Sequence, residues 1–238
     1  MPRAPPEPPK RHPLEEIAAF WNQCSPVTED TEVSECLRKR CIDPATVEER
    51  DLARAVPKTG RLPWWARYCG KAWNEAPQQY RLVVKMFGAA GRLESFHARA
   101  LRPQDPKGSD KAAAVACASL KGLVMADALG QRMLEGSALG DGSPASQLVA
   151  SCGLWVMEGT PDFLTRATDF SEAAEDAPAV LAIFAGCWTE QIAARVPDGT
   201  LVAIDTHADA AGDRFAQLIA DSFARRCKLK RSRQARAA

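Results

Sequence analysis

Two short acidic stretches in this chain could do chemistry. One is Glu158-Gly159, directly after the apolar run 153–157; the other is Asp205-Thr206-His207-Ala208-Asp209, directly after the apolar run 200–204. Apolar runs this short, bounded by turn residues, read as buried strands. In an open parallel sheet the functional crevice lies beyond the carboxyl ends of the strands, so groups distant in sequence meet on one rim. Carboxylates gathered there repel one another unless a hard divalent cation binds between them, and oxygen donors of this kind suit Mg²⁺. Glu158 at one strand end and Asp205 and Asp209 at the other are thus the candidate metal-holding groups. The competing use of an acid at a strand end is a helix N-cap or a solvated rim charge.

Such groups need elements to position them. From Cys152 onward the pattern alternates: strands over 153–157, 179–184 and 200–204, and helices over 161–174, 189–196 and 211–226. This is an α/β arrangement, a parallel sheet flanked by helices. A Gly- and Ser-rich joint at 136–146 and a helix over 144–151 lead into the first strand. Upstream, 81–87 and 92–101 alternate around Gly88-Ala89-Ala90-Gly91 as a β-hairpin, and 121–134 reads as a strand or turn leading into a helix. Helices near 14–21 and 31–40 carry apolar faces that pack on a sheet. The expected organisation is a disordered Pro-rich leader (1–13), an N-terminal α+β lobe containing the hairpin (14–135), an α/β domain (144–227) and a basic tail (228–238).

These motifs carry a resemblance. Glu158-Gly159-Thr160-Pro161-Asp162 resembles the Glu-Gly-x-x-Asp motif of the Toprim domain, shared by bacterial-type primases, topoisomerases and some nucleases. Asp209-Ala210-Ala211-Gly212 resembles the second half of that domain's Asp-x-Asp motif. Further upstream, Phe96-His97-Ala98-Arg99-Ala100-Leu101 looks like the primase strand ending Gly-Phe-x-x-Arg-x-Leu, Pro106-Lys107 like its Pro-Lys-Tyr loop and Lys121-Gly122 like its Lys-Gly turn. Order and spacing together, over roughly 80–220, favour the catalytic core of bacterial and phage DNA primases. The resemblance implies a Toprim-like sheet and metal-dependent nucleotidyl transfer, with Mg²⁺ or Mn²⁺ held by Glu158, Asp205, His207 and Asp209. Glu158 would also be an acid/base, and Arg99, Lys107 and Lys121 would neutralise template or triphosphate. The implied partners are single-stranded DNA, nucleoside triphosphates and a replicative helicase in trans, for a primase of mobile-element origin. A Toprim nuclease and a nucleic-acid-binding protein without turnover are the alternatives. Within the Asp-x-Asp motif the pattern departs: His207 stands where the first Asp belongs, and Asp205 lies two residues earlier. Either Asp205 or His207 substitutes, or the site is degraded. An imidazole shifts preference from Mg²⁺ towards Zn²⁺ or Mn²⁺.

The bulk numbers set bounds. The chain has 238 residues, 46% hydrophobic and 26% charged, with a net charge of +1, which fits an ordinary folded protein of two lobes. The balance hides a local excess, seven basic residues and no acid over 225–236, a candidate phosphate-binding arm or a solvated end. The eight cysteines form no Cys-x-x-Cys pair, which argues against a zinc ribbon, so most read as small core residues. With no apolar run long enough for a membrane span and no secretory signal, the expected location is the cytosol. Trp64, Trp65 and Trp73, close to Arg61, Arg67 and Lys71, could stack on bases, although burial is the commoner use of Trp. His12 and His97 have no metal-ligand spacing.

Overall fold

The computed structural model describes residues 14–103, 111–116, 119–139, 142–170 and 177–234. The leader 1–13, His12, Lys107 and Cys117 lie outside them. Three short helices open the described chain, α1 (Leu14–Gln23), α2 (Thr31–Arg38) and α3 (Pro44–Glu49). α2 and α3 begin where an aspartate accepts from amides that the first helical turn leaves unpaired: Asp30 from Val33 and Asp43 from Thr46, each at 3.0 Å. There follow β1 (Ala53–Ala55), the small pair β2 (Arg67–Tyr68) and β3 (Lys71–Ala72), the hairpin β4 (Tyr80–Phe87) and β5 (Leu93–Ala100), and β6 (Ala112–Ala114). β1, β4, β5 and β6 make one antiparallel sheet in that order. On one face Val83, Phe96 and Ala98 pack with Ile17, Phe20 and Trp21 of α1 and with Trp65 and Trp73. The Phe20 ring centroid lies 5.1 Å from that of Trp65 and 5.6 Å from that of Phe96, edge-on in both cases. Trp65 and Trp73 are wholly buried and anchor this core, whereas Trp64 is half exposed.

Downstream come β7 (Met125–Ala126), α4 (Ala128–Glu135), α5 (Ala145–Cys152), β8 (Leu154–Glu158), α6 (Thr160–Asp169), β9 (Ala179–Ile183), α7 (Glu190–Ala193), β10 (Leu201–His207), α8 (Ala210–Ser222) and β11 (Lys228–Gln234). The strands form a second sheet in the order β11-β10-β8-β9-β7, parallel except for β7 against β9. This is the expected α/β fold. Alternation sorts the faces: Val156, Leu181, Val202 and Ile204 bury against residues of α4, α7 and α8, while Met157, Val180 and Ala182 bury against Phe163, Leu164 and Ala167 of α6. The latter cluster also contains Leu82, Val84 and Met86 of β4, so one apolar core serves both sheets. Phe87 and Val124 exchange backbone hydrogen bonds of 2.8 and 2.9 Å and join the sheets directly. β7 and α4 belong with the second sheet, which moves the lobe boundary upstream of its expected place at 135.

Several other expectations are corrected. β10 continues to His207 because its residues pair with β11 as far as His207 opposite Gln234; residues 228–234, expected as a tail, are that edge strand. α7 is a single turn, and α6 ends at Asp169, with 171–176 outside the described residues. α8 ends at Ser222, and Ala224 and Arg225 then take left-handed angles (φ 44° and 68°) that a helix cannot continue through. Of the cysteines, Cys24 and Cys187 are buried as expected, but Cys41 and Cys69 are exposed.

From β8 the chain moves to β9 on one side and then to β10 on the other. The carboxyl ends of β8 and β10 therefore flank a topological switch point. Gly212 lets α8 start hard against this rim, since a Cβ there would lie 2.1 Å from the His207 carbonyl oxygen. Gly212→Ala should destabilise the fold by about 2–3 kcal/mol through overpacking against backbone, read as a lowered urea midpoint; an unchanged midpoint would contradict this packing.

Candidate carboxylate–imidazole site

Glu158 is the last residue of β8. Gly159 follows with φ 89° and ψ 163°, a backbone region almost confined to glycine. It turns the chain so that Thr160 and Pro161 start α6 and Asp162 falls in the first helical turn. Across the switch point, His207 ends β10. Its backbone N–H donates to Glu158 Oε2 at 3.0 Å. Its ring lies between two carboxylates, with Nδ1 3.2 Å from Glu158 Oε1 and Nε2 3.1 Å from Asp162 Oδ2. Burial holds the Asp162 carboxyl above the ordinary carboxylate range; His207 opposes this, while the charges of Asp205 and Glu158 add to it.

The other two predicted ligands are engaged differently. Asp205 is 2% exposed, accepts from Ser232 Oγ at 2.8 Å and stands 4.0 Å from the Arg166 guanidinium. Asp209 is the N-cap of α8, its Oδ1 accepting from the amides of Ala211 (3.0 Å) and Gly212 (2.9 Å). The structure thus brings Glu158 and His207 together, adds Asp162, which the predicted ligand set omitted, and gives Asp209 the capping role. Asp162 was accessible from sequence: four residues after Glu158 across a glycine, it is the acid of the first turn of α6.

The donor chemistry suits Mg²⁺ or Mn²⁺, because oxygen ligands predominate and the Asp162 carboxyl feels the charges of Glu158 and Asp205. As arranged, however, no three His, Cys, Asp or Glu side chains among the described residues form a ready cage for a metal ion. The imidazole occupies the oxygens that a cation would use, so ring and cation are alternatives at Glu158 and Asp162.

Basic groups border this rim. Arg99 on β5 is half-buried; burial and then the like charge of Arg40 lower its proton affinity, while Asp162 works the other way. Arg40, Arg99, Thr160 and Pro161 share the lining of a small cavity between the lobes, about 60 Å³ in volume. Lys121 is exposed on the turn before β7. The Gly122 amide holds that turn on the Cys187 carbonyl at 2.8 Å, beside the carboxyl end of β9. His97 links the lobes: it is wholly buried, its Nδ1 lies 2.6 Å from Thr160 Oγ1, and its ring centroid is 4.2 Å from that of Phe184.

The sequence matches no protein-family model and no curated protein. Solved structures do match. The Aquifex aeolicus primase (zinc-binding and RNA polymerase domains) is similar over 94% of this chain and 55% of that one, at TM-score 0.58 and 14% identity. A DnaG primase catalytic domain bound to single-stranded DNA gives TM-score 0.59 at 13% identity, over 94% and 71% of the two chains. The RNA polymerase domain of Mycobacterium tuberculosis primase DnaG gives 0.55 at 15%, over 92% and 74%. The fold is that of primase catalytic domains. At such identities the likeness is one of fold, and this chain spans little more than half of the Aquifex chain.

Within this primase-like fold His97 generates a pH prediction. Burial pushes its pKa from 6.5 down to about 3, with Arg99 adding to the effect. A lowered folded value means that the ring's contribution is intact above pH 6.5 and is lost as pH falls towards 3, at about 1.4 kcal/mol per unit. Between pH 6.5 and 4 the parent should lose about 3 kcal/mol more than His97→Gln, measured as urea unfolding free energies. Equal pH slopes would show that His97 is not held neutral.

Proposed function

We propose that this chain is a DNA primase-like protein that binds single-stranded DNA and nucleoside triphosphates in the cleft between its lobes. Nucleotides are joined at the Glu158–Asp162–His207 rim, with Mg²⁺ or Mn²⁺ as cofactor. The observation that carries the reading is the placement of Glu158 and Asp162 at the switch-point rim of a primase fold, with the Asp162 carboxylate acting electrostatically on Arg99 of the neighbouring cavity.

Glu158, Asp162 and Asp209 are the residues that would hold the ion. When bound, it would offset the charge of the transferring phosphoryl group and favour attack by a 3′-hydroxyl. Arg99 and Arg40 supply planar guanidinium forks for phosphate oxygens, and Lys121 adds a point charge from the β9 side. Glu158, less exposed than Asp162, is placed to accept the proton of the attacking hydroxyl. His97 fixes the Thr160 hydroxyl and with it the turn that carries Asp162.

A second reading, binding without turnover, is favoured by one observation: His207 already satisfies both carboxylates. Template-directed primer synthesis on single-stranded DNA, with Mg²⁺ or Mn²⁺, separates the two. The parent should make primer, and Glu158→Gln should lose it by about 10²–10⁴-fold while retaining fold and DNA binding. Equal activity in parent and variant would remove Glu158 from the mechanism, and template cleavage would point to hydrolysis. His207→Asp, which vacates the oxygens and adds a carboxylate, should tighten Mg²⁺ binding by about tenfold or more in calorimetric titration. A parent without primer synthesis, beside a metal-binding His207→Asp, would establish the second reading.

A further inference from the structure

Among the described residues, the second sheet has one face that is only half covered. α6 packs on β8 and β9, and α8 packs on β10 from the opposite side. The register fixes which side chains occupy the α6 side beyond that helix. Val202 pairs with Leu154 and Leu229, and Val202 and Leu154 bury towards α8. The neighbouring rows must therefore face the α6 side: Leu201 with Lys228, then Ala203 with Trp155 and Lys230. Leu201 is 51% exposed, both lysines are exposed, and Trp155 is partly exposed. Arg166 of α6 lies over the Trp155 ring, 4.1 Å from its centroid. Asp205 on this face is buried and accepts from Ser232, and Asp169 of α6 pairs with Arg166 at 3.4 Å, so the lysines carry the uncompensated charge among these groups.

We infer that this open face, built from Trp155, Arg166, Lys228 and Lys230, is a docking surface for single-stranded nucleic acid. Charge and shape select the occupant. Two lysines two positions apart stand about 6.6 Å from each other along β11, a spacing that successive phosphates of one extended strand can follow. The aromatic ring, with a guanidinium on it, offers the stacking and cation–π contact that bases take without regard to sequence. Trp155 lies three residues before Glu158 on β8, about 10 Å down the strand and on the opposite side of the sheet, so a bound strand would pass over the carboxyl edge of the sheet on its way to or from the rim. The inference rests on the reading that this chain binds single-stranded DNA, but it uses residues outside the cleft.

The test is fluorescence anisotropy of a fluorescein-labelled oligothymidylate against the full chain over a range of salt. Neutralising Lys228 and Lys230 together (Lys228→Ala with Lys230→Ala) should weaken binding by about tenfold and lower the salt slope by about 1.4, as two single-strand phosphate contacts require. Both side chains are exposed, so the variant should fold, which circular dichroism checks. The same charge removed from the α4–α7 side (Arg132→Ala with Arg195→Ala), where both side chains are exposed, should change little. An unchanged lysine pair variant overturns the surface, as does an equal loss in the arginine control. If Arg99→Ala weakens binding and the lysine pair does not, the cleft reading stands and this surface fails; the reverse result sustains the surface and removes the cleft. Equal competition by polyglutamate, or tighter binding of duplex DNA, overturns single-stranded nucleic acid as the occupant, and a parent that binds no oligothymidylate overturns it outright.

Discussion

β10 lies between β8 and β11, and its last three residues are polar. A strand end carrying Asp205, Thr206 and His207 can be buried only if its backbone groups are paired on both edges, since an unpaired buried amide costs about 1–3 kcal/mol. β11 pairs with all three, β8 pairs as far as Asp205, and the His207 amide donates to Glu158 instead; each side chain is thereby sent to a separate task. Asp205 points to Ser232 and Arg166, Thr206 Oγ1 donates to the Gly212 carbonyl at 2.9 Å, and His207 reaches across the switch point to Glu158 and Asp162. The rim chemistry, the start of α8 and the seating of the edge strand all follow from this one strand.

The opposite wall of the cleft depends on a buried cation. Arg81 on β4 is 1% exposed; its Nε donates to the Val56 carbonyl at 2.7 Å and its guanidinium pairs with Asp30. Asp30 is also the N-cap of α2, so one carboxylate starts that helix and fixes it to the hairpin. Breaking such a buried pair on one side is costly because it strands the remaining charge. Arg40, just beyond α2, meets Arg99 on β5 because this tie sets where the helix ends.

Much of this was legible in the residues. The hairpin and the α/β alternation follow from periodicity, and Glu158 followed from its place at a strand end. What escaped had specific causes. β1, β6 and β7 have three, three and two residues, too few to show alternation. β11 reads as a charged tail because an edge strand with one open face carries lysines as readily as a solvated end does. The N-cap role of Asp209 was one of two uses weighed for an acid at that position, and only coordinates decide between them. That the His207 ring lies between Glu158 and Asp162 cannot be read from residue spacing, because it depends on where a single side chain points.

The bridge between Phe87 and Val124 sits in the apolar core on the α8 side of the second sheet, and the core on the α6 side takes in Leu82, Val84 and Met86 of β4. Two bodies welded in this way have no hinge between them, and closing like a jaw would tear a common interior. Whatever enters the crevice must be received by turning side chains, with Arg40, Lys121 and His207 the parts nearest to solvent. Recognition in such a molecule is a matter of rotamers on a stiff frame.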